Sequence, residues 1–177
     1  MTRRALTLIA VVLLVAMVFT ACSAGSTGAV KQGLGTVNRI AKSADAGEAD
    51  GNAQTDTVIA SVSLDSAGKI VAVKIDSVQS KIAFTAAGKL ATDPATIVKS
   101  KKELGNDYGM KAKSGLGKEW FEEIAALEKW LTGKTLADVE GLKLTDGIAT
   151  DLSASVTITV TDYIEAVKKA IANANAA

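Results

Sequence analysis

The chain has 177 residues, a formal net charge of +1 from 20 Lys+Arg and 19 Asp+Glu, and an apolar fraction of 48%. Two of the arginines lie in the first 21 residues, so the remainder is close to neutral and offers no basic face for nucleic acid. With no histidine and one cysteine, the chain lacks the parts of a Ser-His-Asp or Cys-His catalytic site, of a His- or Cys-rich zinc site and of an internal disulfide.

Arg3 and Arg4 precede an uncharged, mainly apolar run from Ala5 to Thr20, the pattern of a secretory signal over residues 1–21. An uncleaved membrane helix is the alternative, but the run falls short of the roughly 20 apolar residues that a span prefers. Cys22 follows at once, in Phe19-Thr-Ala-Cys22, with a small and polar stretch after it. This arrangement resembles a bacterial lipobox, in which the cysteine thiol takes a diacylglyceryl group and the chain is cut before it. Acyl chains contribute about 0.8 kcal/mol per buried methylene, so two or more give a stable anchor. The expectation is a lipid attachment at Cys22 that holds the protein on the outer face of a bacterial cell membrane. Residues 22–32 then read as a flexible tether, and residues 33–177 as the folded domain.

Within that domain, Thr36 to Lys42 is expected as a first short strand and Ala44 to Gln54 as a loop. Thr57–Asp65 and Ile70–Asp76 are β-branched, alternating runs about a Ser66-Ala-Gly-Lys69 turn, and Lys81–Thr85 is a third strand closed by Ala86-Ala-Gly-Lys89. Such short connections require antiparallel pairing. After Pro94 the chain becomes rich in lysine and glycine. Lys99, Lys101, Lys102, Lys111 and Lys113 give it a local positive excess, read as a solvated loop or as a contact for phosphate or anionic lipid.

A helix is expected from Lys118 to Leu131. Trp120, Ile124, Leu127 and Leu131 share its buried face, while Glu122, Glu123 and Lys129 lie elsewhere. Neighbouring Glu122 and Glu123 diverge on a helix, so no general acid/base pair is visible. Thr135-Leu-Ala-Asp138 has the form of a capping box that opens a short helix ended by Gly141. A last helix runs from Thr161 to Ala172, with Ile164, Val167 and Ile171 on one side. Strands followed by segregated helices predict a single α+β domain, an antiparallel sheet packed with helices. The tripeptides Gly33-Leu-Gly35 and Gly115-Leu-Gly117 match in three letters only and indicate no duplication.

The segment Asp151-Leu-Ser-Ala-Ser-Val-Thr157-Ile-Thr-Val-Thr-Asp-Tyr-Ile-Glu-Ala-Val167 resembles the end of the bacterial FMN-binding domain family, which typically reads Asp-x-x-Ser-Gly-Ala-Thr-x-Thr-Ser before an amphipathic helix. Without a gap, Asp151 falls on the family's Asp, Ser155 on its Gly and Thr157 on its flavin-acceptor Thr. Gly115-Leu116-Gly117, with Trp120 and Phe121 beyond, resembles the family's Thr-Pro-Gly-Leu-Gly loop, and Leu64 to Ile70 resembles its opening hairpin. The resemblance implies an FMN-binding-domain-like fold. It also implies covalent FMN, joined through its phosphate to the Thr157 hydroxyl by a flavin transferase, with Asp151, Ser155, Gly115, Leu116 and Gly117 around it. A helix N-terminus just beyond Thr157 would suit the phosphate. Flavin would carry the electrons without any need for histidine, cysteine or metal.

This chain departs from the family pattern at Ala154, at Ser155, where glycine could take a positive φ more readily, and at Ala112-Lys-Ser114 before the glycine loop. The residues also permit plainer readings. Ser155 to Val160 alternates as a half-buried strand would, the two glycines suit a turn, and the Trp120 stripe suits a core. Two functions follow. One is a membrane-tethered electron carrier with FMN on Thr157 that exchanges electrons with a redox partner in the membrane. The other is a lipoprotein of the same fold without flavin that acts as a surface binding or accessory module. Neither makes the chain an enzyme with catalytic residues of its own.

Overall fold

The computed structural model describes residues 30–176; the signal segment, Cys22 and most of the expected tether lie outside the described residues. Three strands form an antiparallel sheet in the order β1 (Lys31–Arg39), β2 (Gly51–Leu64) and β3 (Ile70–Phe84). Val62 sits opposite Val73, Ala60 opposite Ile75 and Val58 opposite both Val37 and Ser77, so the inward alternation anticipated for residues 58–64 builds one face of the core. Beyond the sheet come α1 (Lys101–Leu104), a 3-10 turn (Gly105–Tyr108), α2 (Trp120–Leu131) and α3 (Leu136–Glu140). A hairpin of β4 (Leu144–Thr145) and β5 (Ile148–Ala149), a 3-10 turn (Thr150–Leu152) and α4 (Thr161–Ala176) complete the order. The architecture is a single α+β domain.

Both turns read from the sequence are present. Asp65 Oδ1 accepts from the N–H groups of Ala67 and Lys69, each at 2.9 Å, and Gly68 supplies the positive φ that an L-residue resists. Thr85 to Lys89 repeats the design, with Gly88 in the same conformation.

The strand boundaries differ from expectation. β1 runs from Lys31 to Arg39 in place of the expected Thr36 to Lys42, so it begins within the expected tether and stops short of Lys42. Gly51 to Gln54, expected in a loop, pair with Phe84 to Lys81, so the strands expected at 70–76 and 81–85 are one continuous β3. Ser77, Val78, Gln79 and Ser80 break the apolar alternation, yet they keep the ladder because β2 runs long enough to pair with them.

Helix α4 lies across β1 and β2. Its residues Ala166, Ala170 and Ala174, spaced by four, are fully buried against Gly33 and Gly35. A Cβ at either glycine would fall well inside contact distance of the Ala170 or Ala166 carbonyl oxygen. Helix and strand backbones therefore touch, and the small residues on both sides allow it. Asn173 Nδ2 donates to Leu34 O at 2.7 Å and Lys169 Nζ to Thr36 O at 3.2 Å, tying the two elements further. The core closes with Trp120, Ile124, Leu127 and Leu131 of α2 and with Val139, Val156 and Val160.

Candidate functional site

Helix α2 buries carboxylates as well as apolar groups. Its inward positions are Trp120, Glu123, Ile124, Leu127, Glu128 and Leu131, and Glu119 just before it is buried too. This corrects the expectation that Glu123 lies off the buried face. A carboxylate can stay there because N–H and O–H donors replace its water. Glu119 accepts from the N–H groups of Met110 at 2.9 Å and Lys111 at 3.1 Å. Glu128 accepts from Ile75 N–H at 2.8 Å and Lys102 Nζ at 2.6 Å. Of the lysine-rich segment expected to be solvated, Lys102 is thus half-buried in an ion pair and Lys101 is buried.

Glu123 is fully buried and gathers two of the three segments that carry the family resemblance, the glycine loop and the Thr157 segment. The Ser114 hydroxyl, immediately before Gly115-Leu116-Gly117, donates to its Oε1 at 2.8 Å. The N–H groups of Thr157 and Ile158 donate to Oε2 at 2.6 and 3.2 Å, and the Thr157 hydroxyl donates to both oxygens at 3.2 and 3.1 Å. Ser114 and Thr157, 43 positions apart in the sequence numbering, meet on one carboxylate contributed by the helix between them.

Thr157 is half-buried in an irregular segment, not in a strand, because Glu123 takes the N–H groups that a neighbouring strand would have used. The β4–β5 hairpin holds the far end of this segment, with Val160 N–H donating to Gly147 O at 2.7 Å. The turn of that hairpin is Asp146-Gly147, both with positive φ, a pairing whose sequence signal is the Asp-Gly dipeptide itself. Ser155 keeps a negative φ, since Asp146 is the sole non-glycine with a positive one among the described residues. Its hydroxyl donates to Leu152 O at 3.2 Å, so the side chain occupies its place without backbone strain.

Asp151 and Ala154 are exposed, Gly115 and Gly117 are exposed, and Leu116 is half-buried. Nothing lies within 4 Å of the space beyond either glycine, and Gly117 has φ +62°. The loop is thus a turn with an open outer surface. Trp120 is core, as its helical spacing suggested, and its Nε1–H donates to the Tyr163 hydroxyl at 3.0 Å.

The attachment that the resemblance implies needs an accessible hydroxyl with a free lone pair. Thr157 Oγ1 acts only as a donor among the described residues, toward Glu123, which leaves both of its lone pairs unclaimed. The residues present fit that requirement. No group of acidic, cysteine or histidine side chains suited to a metal ion occurs among the described residues, and no helix among them is long and apolar enough to cross a membrane.

No protein-family model and no solved structure matches the chain. Among curated proteins it is similar to a chlorophenol reductase of Desulfitobacterium hafniense, 49% identical over 41 residues. The match covers 23% of this chain and 12% of the length of that relative.

Proposed function

We propose that the chain is a lipid-anchored, extracytoplasmic flavoprotein of the FMN-binding-domain type, an electron carrier with FMN on Thr157. The observation that supports this reading is the convergence of the Ser114–Gly117 loop, helix α2 and the Thr157 segment on the buried Glu123 carboxylate. In this reading Glu123 holds the proton of the Thr157 hydroxyl and fixes the direction of its lone pairs, while two backbone N–H groups keep the carboxylate in place. The exposed glycine loop is tied to the acceptor through Ser114 and the same carboxylate. FMN, once bound, supplies the redox chemistry, and the chain positions it.

The test is mass spectrometry of the full chain expressed beside an active flavin transferase. The expected result is an FMN mass increment on the Thr157 peptide that Thr157→Ala removes while the domain stays folded. Ala154→Ser with Ser155→Gly should raise incorporation. If neither the native nor the restored chain gains flavin, the carrier reading fails and an accessory lipoprotein of the same fold remains, with Glu123 and Thr157 as a structural clamp.

A further inference from the structure

The first turn of α4 has unpaired donors. Its opening bond runs from Ile164 N–H to Val160 O at 2.9 Å, so the N–H groups of Thr161, Asp162 and Tyr163 have no protein acceptor among the described residues. These residues border a cavity of about 360 Å³ whose other walls come from the sheet and α1. Thr157 does not line it.

Two side chains in the cavity wall are nearly enclosed and unpartnered among the described residues. Ser77 is 3% exposed and its hydroxyl makes no hydrogen bond; Lys101 is 9% exposed and its ammonium meets no carboxylate. Lys101 Nζ lies 4.9 Å from the centre of the Tyr108 ring and 5.2 Å from that of Trp120. Aromatic faces stabilise the charge but accept none of its three hydrogen bonds in the way an oxygen would. The Tyr163 hydroxyl, which accepts from Trp120, has its own proton to give.

The other charged residues that line the cavity are each ion-paired, Asp162 with an arginine outside the lining. Lys42 Nζ sits 2.8 Å from Asp56, and Asp162 is paired with Arg39 at 2.7 Å. Lys101 is left as a cation without a carboxylate partner on the same cavity as a helix N-terminus, two sources of positive potential on one space.

We propose that this cavity is a binding site for a small oxyanion, held by Lys101 Nζ, the Ser77 hydroxyl and the first-turn N–H groups of α4. The site stands independently of flavin on Thr157. The anion could be the end of a carboxylate or of a phosphate compound, and the probes separate the two.

Calorimetric titration of the detergent-solubilised full chain, prepared without a transferase, is carried out with inorganic phosphate and with acetate, ionic strength being held constant with chloride. The expected result is saturable single-site binding of at least one probe. Phosphate alone assigns a phosphate ligand, and acetate alone a carboxylate. Lys101→Met should weaken binding by about tenfold or more and Ser77→Ala by a smaller factor, because the first removes a charge-assisted bond and the second a neutral one. Lys113→Met, at an exposed lysine, should leave it unchanged. Thermal unfolding verifies which variants fold. No saturable binding of either probe by the native chain, or unchanged binding in whichever of Lys101→Met and Ser77→Ala folds, overturns the proposal. Flavin content of the same preparations, read by mass, reports separately on Thr157.

Discussion

The residues that organise this molecule most tightly are three buried glutamates. Glu119 and Glu123 accept backbone N–H groups from irregular segments, and Glu128 accepts one from Ile75 of β3, so each ties another part of the chain to α2. Glu123→Gln keeps the shape but turns one acceptor oxygen into a donor amide among donors. It should destabilise the fold by about 2 to 3 kcal/mol, measured by denaturant unfolding. Asp56 carries a different prediction. Burial raises its proton affinity, yet hydrogen bonds from Lys42, Gln54 and Gln79 outweigh this and hold the carboxyl below the usual aspartate range. A depressed carboxyl stabilises the fold above its unfolded pKa, about 3.9, and that contribution is lost as pH falls through the lower folded value. Asp56→Asn should therefore flatten the acid limb of the unfolding midpoint against pH; an unchanged limb would show that the hydrogen bonds do not favour the ionised form.

At the scale of elements, the contact between α4 and β1 depends on the absence of side chains. Gly33 and Gly35 face Ala166, Ala170 and Ala174, and the helix backbone rests on the strand. Gly35→Ala would drive a methyl group into the Ala166 carbonyl, and no rotamer can move a Cβ aside. The expected cost is about 2 to 3 kcal/mol, read as a lower unfolding midpoint with the denaturant slope unchanged. Helix α3 combines a local cap with a single fully buried side chain, Val139. The Thr135 side chain accepts from Asp138 N–H and Asp138 from Thr135 N–H, as the capping box requires. Backbone and side-chain hydrogen bonds from Thr135 accordingly hold the Asp138 carboxyl below its ordinary range.

At the scale of the whole molecule, the sheet, α2 and α4 form one core, and the Glu123 centre and the α4 cavity lie at different parts of its margin. The proposed membrane association belongs to neither. The domain is close to neutral and would have little affinity for lipid by itself, so acyl chains on Cys22 should provide the retention. Cys22→Ser should release the correctly cleaved chain from the membrane fraction or block its processing. Retention of a correctly cleaved mutant would exclude the lipid anchor as its cause.

The sequence by itself determined those elements whose signals are local: the two Gly-containing turns, the paired strand runs, the apolar stripe of α2, the Thr135 cap and the period of α4. Each depends on φ preference, alternation or helical spacing over a few residues, physics that neighbours in sequence supply. Of the candidate site, Thr157, Gly115 and Gly117 were legible through motif resemblance. Tertiary structure alone decided that Ser77 to Ser80 continue a strand, that Gly33 and Gly35 admit a helix backbone, and that Lys101 is buried over two aromatic rings. It also decided the role of Glu123. The spacing 120-123-124-127-128-131 already puts Glu123 and Glu128 on the inner face of α2, but a buried carboxylate is tolerable only when donors arrive from elsewhere. The donors for Glu123 come from Ser114, Thr157 and Ile158, and only the folded chain brings them to it.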